Sequence, residues 1–104
     1  MAGFPPFSYQ AMLRADAPEL DTASRFLQQA RRLALDLTDG TVRVFDPVPM
    51  RMTRLARRER AQLLVEADER APLQNFMTHW LPALRTQRKP RNLRWQVDVD
   101  PLEV

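Results

Sequence analysis

The sequence predicts an α+β fold, a two-layer sandwich on the split βαβ (ferredoxin-like) plan, with a four-stranded antiparallel sheet and two helices on one face. Three observations carry that prediction. Stretches in which every second residue is apolar fall at the front, the middle and the end of the chain. Two longer stretches between them repeat apolar residues at three and four, the period of a helix with one buried side. The resulting order is strand, helix, strand, strand, helix, strand.

Residues 1–7 place Pro5 and Pro6 between Phe4 and Phe7 and read as an extended lead-in segment, leaving one domain over 8–104. "SYQAMLRAD" is the first strand, with Tyr9, Ala11, Leu13 and Ala15 on one face. A helix follows, with Asp16 as its expected cap, Pro18 in its first turn and Glu19 completing an acidic start. Its buried stripe is Leu20, Ala23, Phe26, Leu27, Ala30, Leu33, Ala34 and Leu37, and Gly40 is expected to end it. "TVRVFDPVPM" gives a second strand, which Pro47 and Pro49 confine to a sheet edge. Residues 50–67 read as a hairpin with arms near 50–55 and 60–67. A second helix is expected from Asp68 or Glu69, with Leu73, Phe76, Met77, Trp80, Leu81 and Leu84 buried, His79 opposite, and a kink at Pro82. The loop "RTQRKPRN" leads to a last strand over 93–99, and no internal repeat is evident in the sequence.

At 104 residues the chain is one domain, and 44% apolar with 28% charged residues is an ordinary globular balance. No apolar run is long enough for a membrane helix, and the first residues lack the pattern of a signal peptide, so a soluble cytoplasmic protein is expected. The absence of cysteine removes disulfide, thiol-nucleophile and zinc-thiolate chemistry. With Gly3 and Gly40 as the only glycines, no Walker or Rossmann phosphate loop can form. His79 is the sole imidazole and has no evident catalytic partner, while Ser8 and Ser24 have no base beside them. Asp98 and Asp100 share a strand face but lack the further oxygen ligands a metal needs, and read as residues that face solvent or flank Arg94. The chain is expected to be non-catalytic.

Binding is the better prospect. The balance is basic, 16 Lys+Arg against 13 Asp+Glu, with a net charge of +3. Arg51, Arg54, Arg57, Arg58 and Arg60 crowd one segment, and Arg85, Arg88, Lys89, Arg91 and Arg94 a second. Forked guanidiniums hold phosphate oxygens well, so both clusters are candidate DNA contacts. A solvated hairpin with composition-driven arginine usage explains the same pattern, and the sequence leaves the two readings level. Base stacking on the sheet is not expected, because "RAQLLVEAD" has no aromatic residue and the first strand offers only Tyr9. Arg70 and Gln74, four apart, line up at the positive end of the second helix beside its apolar stripe. Such a pair suits a terminal carboxylate next to an aromatic group, although an ordinary surface Arg offset by Asp68 and Glu69 is the simpler reading of the spacing alone.

"AQLLVEADERAPLQNF", followed by "RKPRNLRWQVDVDPLEV", closely resembles the C-terminal end of the bacterial replication-restart helicases of the PriA (primosomal protein N′) family. "FPPFSYQAMLRA" is similar to the family's Pro-Pro strand opening, and "RVFDPVPM" to its Gly-Pro-Val-Pro segment, so that the resemblance covers residues 4–104. The closing pattern of Trp95, Asp98, Val99, Asp100 and Pro101 is its most specific part. The resemblance implies that the chain is a fragment with an added Met1, following the ATPase lobes and zinc sites of an ATP-dependent 3′–5′ DNA helicase. ATP, magnesium and zinc would belong to that parent, with no cofactor in the fragment. It further implies a fold similar to a ribosomal small-subunit protein, binding of branched or single-stranded DNA, and contact with the upstream helicase domains. A further implied partner is the acidic C-terminal tail of single-stranded-DNA-binding protein, taken by Arg70 and Gln74, which fall at the family's tail-binding positions. Pro72 and Pro82 depart from the family's pattern. The rival reading is a structural docking domain that braces the helicase lobes and touches DNA little.

Overall fold

Alternation in the first strand persists further than the expected helix start allows. In β1 (Tyr9–Ala17), Ala11, Leu13, Ala15 and Ala17 are all buried, so the strand runs through Asp16 and the chain bends only at Pro18 and Glu19. Helix α1 (Leu20–Leu37) therefore takes Glu19 as its N-cap. Asp16 is not a cap, because a side chain on the sheet cannot reach the helix N–H groups. The computed structural model describes residues 8–50 and 58–99. The other elements are β2 (Val42–Val44), β3 (Val48–Met50), β4 (Glu59–Ala67), α2 (Arg70–Thr86) and β5 (Arg94–Val99).

The five strands form one antiparallel sheet in the order β2-β4-β1-β5, with β3 also paired to β4. This is an α+β fold, and its strand order is consistent with the split βαβ plan. The single expected second strand is two short ones, separated by Phe45, Asp46 and Pro47, of which Phe45 still bonds to β4 through its N–H. Most of the outgoing hairpin arm expected at 50–55 lies outside the described residues, whereas the return arm is β4, starting one residue early. Gly40 has φ +101°, but it serves the turn into β2 rather than ending α1, whose C-cap is Thr38 in an extended conformation. Leu37, expected in the buried stripe, is exposed because it sits on that last turn, beyond the cover of the sheet.

A βα unit occurs twice at an offset of 50 residues, from Tyr9 to Glu59 and from Leu20 to Arg70. Both copies have a nine-residue strand, a two-residue bend ending on a Glu N-cap, and a long helix. Burial follows the same offset: Ala11 and Ala61, Leu13 and Leu63, Ala17 and Ala67, Phe26 and Phe76, and Leu27 and Met77 are all in the core. A sequence search for repeats misses this, because what repeats is the spacing of buried positions and not residue identity. The helices meet at the equivalent positions Ala30 and Trp80. Small Ala30 leaves room for the fully buried indole, whose Nε1–H donates to the Ala30 carbonyl at 3.0 Å. Phe76 packs on Trp80 with ring centroids 5.1 Å apart, and Phe26 on Trp95 at 5.8 Å. Helix α2 accepts Pro72 in its first turn and continues through Pro82 to Thr86. No helix among the described residues is long and apolar enough to cross a membrane.

Both helices cover the face that carries the odd-numbered residues of β1 and β4, and one apolar cluster fills the space between. No helix among the described residues covers the opposite, open face. Register sets it out in rows: Met50, Arg60, Asp16 and Arg94 in one, and Val48, Gln62, Arg14 and Gln96 in the next. Leu64, Met12 and Asp98 form a third row, and Arg43, Glu66 and Gln10 a fourth.

Candidate nucleic-acid interface

The described residues of the first basic stretch, Arg58 and Arg60, stand at the same end of the sheet as the second stretch, far away in sequence. Arg58 precedes β4, and its Nη2 donates to the carbonyl of Asn92 in the α2–β5 loop at 2.8 Å. The same guanidinium donates from Nε to the Asp16 carboxylate and from Nη2 to the Asp16 carbonyl at 3.1 Å. Arg58 is thus a clasp between β1, β4 and the loop, with most of its donors already committed. Lys89 is committed in the same way. Its Nζ donates to the carbonyls of Leu84, Arg85 and Gln87, satisfying groups at the C-terminal end of α2, and lies 5.8 Å from the Trp95 ring centroid.

Arg60, Arg85, Arg88 and Arg91 are exposed, and none pairs with a carboxylate among the described residues. Arg94 shares Asp16 with Arg58 through a 3.4 Å contact from its Nε, and its side chain remains 69% exposed. Arg51, Arg54 and Arg57 lie outside the described residues. Sequence reasoning passed over Arg14 and Asp16 as parts of this region. Their period-two spacing on one strand face was a signal, but strand register alone puts them beside Arg60 and Arg94. Asp98 faces solvent, its side chain 58% exposed, and pairs with Arg14.

The rest of the open face is quieter. Gln10 donates to Glu66 at 3.1 Å and holds that carboxyl below its ordinary value, aided by Ser8 and Arg43 and opposed by partial burial. Arg43 bridges Glu66 and Asp68, and those two carboxylates raise its own pKa. The backbone N–H of Phe45 donates to the Leu64 carbonyl at 3.0 Å, and strand parity places its ring on the open face. With Met12, Leu64 and Val48 it makes a small apolar band there, in which Phe45 is 42% and Val48 47% exposed. No group of three or more His, Asp or Glu side chains gathers among the described residues.

Arg70 and Gln74 lie at the opposite end of the molecule, where α2 begins. Both are exposed, and the Arg70 guanidinium stacks over the Tyr9 ring at 5.7 Å from its centroid. Tyr9 is a neighbour the sequence did not suggest, because it becomes adjacent only when β1 pairs with the end of β4.

The sequence matches the model of the primosomal protein N C-terminal domain over residues 1–102. The chain belongs to that family. Two curated relatives, both named replication restart protein PriA, agree. That of Rickettsia prowazekii is 28% identical over 100 residues, 96% of this chain, and that of Haemophilus influenzae is 28% identical over 102 residues, 98% of this chain. The match spans 14% of the length of each relative. A solved structure of similar fold is the de novo designed protein Foldit4, with a TM-score of 0.63 at 8% identity, covering 90% of this chain and 97% of that one. For a primosomal protein N C-terminal domain, then, the described residues offer one end rich in uncommitted arginine and one carrying Arg70 and Gln74.

Proposed function

We propose that this domain is a non-catalytic accessory module of a replication-restart DNA helicase, binding branched or single-stranded DNA through its arginine-rich end. The observation that carries the reading is the meeting of β4 and the α2–β5 loop, which sets Arg60, Arg85, Arg88 and Arg91, exposed and without a carboxylate partner among the described residues, on one end of the sandwich. Several such charges release counterions on binding phosphate, so affinity is strongly salt-dependent. The test is fluorescence anisotropy of a forked DNA with the chain over a series of salt concentrations. Binding that weakens steeply with salt, and falls further in an Arg85→Gln/Arg88→Gln/Arg91→Gln variant, supports the reading. Binding indifferent to both removes it.

At the other end, Arg70 and Gln74 are proposed to take the acidic, Phe-ending tail of single-stranded-DNA-binding protein. What supports this reading is that Arg70 stacks over the Tyr9 ring there, a cation beside an aromatic surface. Charge reversal at Arg70 should weaken capture of such a peptide. The docking reading is favoured by a different observation, the apolar band of Phe45, Val48, Leu64 and Met12 on the open face. A parent protein whose DNA affinity survives deletion of this domain, but whose stability does not, would fit docking better.

A further inference from the structure

Resting on the nucleic-acid reading above, we infer that the open sheet face holds a phosphate seat for a single nucleic-acid strand, formed by Arg60 and Arg94 on either side of Asp16 and backed by Arg14. A pocket of about 550 Å³ opens on this face, lined by Arg14, Asp16, Arg60, Arg94 and Gln96 among others. That volume falls within the range of about 300–1,000 Å³ typical of ligand sites.

The electrostatics favour an anion. Three guanidiniums, Arg14, Arg58 and Arg94, pair with two carboxylates, Asp16 and Asp98, and a fourth, Arg60, stands opposite Asp16 in the strand register. Arg58 neutralises Asp16 from one side, and Arg14 neutralises Asp98. What remains is Arg60, with no carboxylate partner among the described residues, and Arg94, tied to Asp16 only through its Nε. Both side chains rise from neighbours of Asp16 in one cross-strand row, so their Cα atoms are two strand spacings apart, about 10 Å. Long side chains converging over that span can grip one phosphate from both sides with forked donors.

The surroundings favour a nucleotide strand over an isolated anion. Gln62 and Gln96 occupy the adjacent row and offer amide donors and acceptors suited to base edges. Val48 ends that same row, and Leu64 and Met12 follow in the next, with Phe45 beside Leu64. Phe45 lies between strands, where sequence reasoning against base stacking did not count it, and is an aromatic that a base face can cover. Guanidiniums, amides and apolar side chains thus lie in adjacent rows of one face, the three kinds of group that the phosphate, base edge and base face of an unpaired nucleotide call for.

The test uses the full chain, isotopically labelled, with amide and guanidinium NMR shifts followed on adding three probes separately: a thymidine homopolymer, inorganic phosphate and an acidic peptide. Shifts at Arg14, Arg60, Arg94 and Gln96 with the oligonucleotide are expected. The variant Arg60→Gln/Arg94→Gln should bind it about tenfold more weakly, with the salt slope reduced by ~0.7 for each phosphate that is no longer neutralised. Oligonucleotide binding that moves only Arg85, Arg88 and Arg91 overturns the seat while leaving the accessory DNA role intact. No oligonucleotide binding overturns both. Shifts at the seat with inorganic phosphate or the peptide, and none there with the oligonucleotide, overturn the assignment to nucleic acid.

Discussion

Asp16 shows how a single residue changes meaning between chain and fold. Its position before a helical repeat suggested a cap, yet the continuing alternation of Ala15 and Ala17 kept it on the sheet, where it holds Arg58 and Arg94. Both partners in the Asp16–Arg58 pair are largely sheltered, with side chains 24% and 20% exposed. Replacing Asp16 by Asn should leave a half-buried guanidinium without its counter-charge and cost about 1–3 kcal/mol in urea unfolding. A double-mutant cycle with Arg58→Gln should show coupling between the two positions. Glu66 supplies a second prediction at this scale. Gln10, then Ser8 and Arg43, lower its folded pKa below the ordinary value of 4.5, so the unfolded chain takes up the proton first as pH falls. The associated stability is fully present above about pH 4.5 and disappears as pH drops through the folded pKa. Thermal melts across about pH 3 to 6 should show this loss in the native chain, and a smaller one in Glu66→Gln.

Among the elements, the helices carry the firmest stability argument. Trp80 is fully buried, fills the space left by Ala30 and ties α2 to α1 through its indole N–H. Trp80→Phe removes that donor and some packing and should cost about 1–3 kcal/mol, lowering the melting temperature by roughly 4–8 °C per kcal/mol in a domain of this size. Ala30→Leu should also destabilise, because the added atoms would collide with the indole. The apolar period made both helices legible in advance, since the positions from Ala23 to Ala34 and from Leu73 to Leu84 read directly as a buried stripe. Element ends were less legible. Gly40 looked like a helix stop but is needed two residues beyond the C-cap, and Pro47 split a strand that alternation alone would join. These boundaries depend on where the sheet stops covering the chain, which is a tertiary fact.

Across the whole molecule, the candidate surfaces were legible as residue types and illegible as neighbourhoods. Arginine crowding was plain in the sequence, but its division into committed and uncommitted groups was not. Arg58 and Lys89 look like Arg60 and Arg88 in a charge count, until the fold gives the first pair acceptors at Asp16, Asn92 and the end of α2. Register likewise decided which side chains share the open face. The same topology separates the two proposed binding ends. Arg60 and Arg94 stand where β1 ends, and Arg70 and Tyr9 where it begins, so a nine-residue strand lies between them. Such a strand spans roughly 27–30 Å, several times the Debye length of about 8 Å at physiological salt. Charge changes at one end should therefore be screened from the other, and the sheet between them is a rigid spacer. Arg70→Glu should reduce capture of an acidic Phe-ending peptide while leaving oligonucleotide affinity within about twofold. Arg60→Gln should do the converse, and the double variant should show the sum of the two effects in free energy, because the sites share no partner among the described residues. Isothermal titration of each probe in the presence of the other checks this directly. A strong mutual effect of peptide and oligonucleotide would mean that the ends are coupled through the sheet, or that both ligands compete for one site.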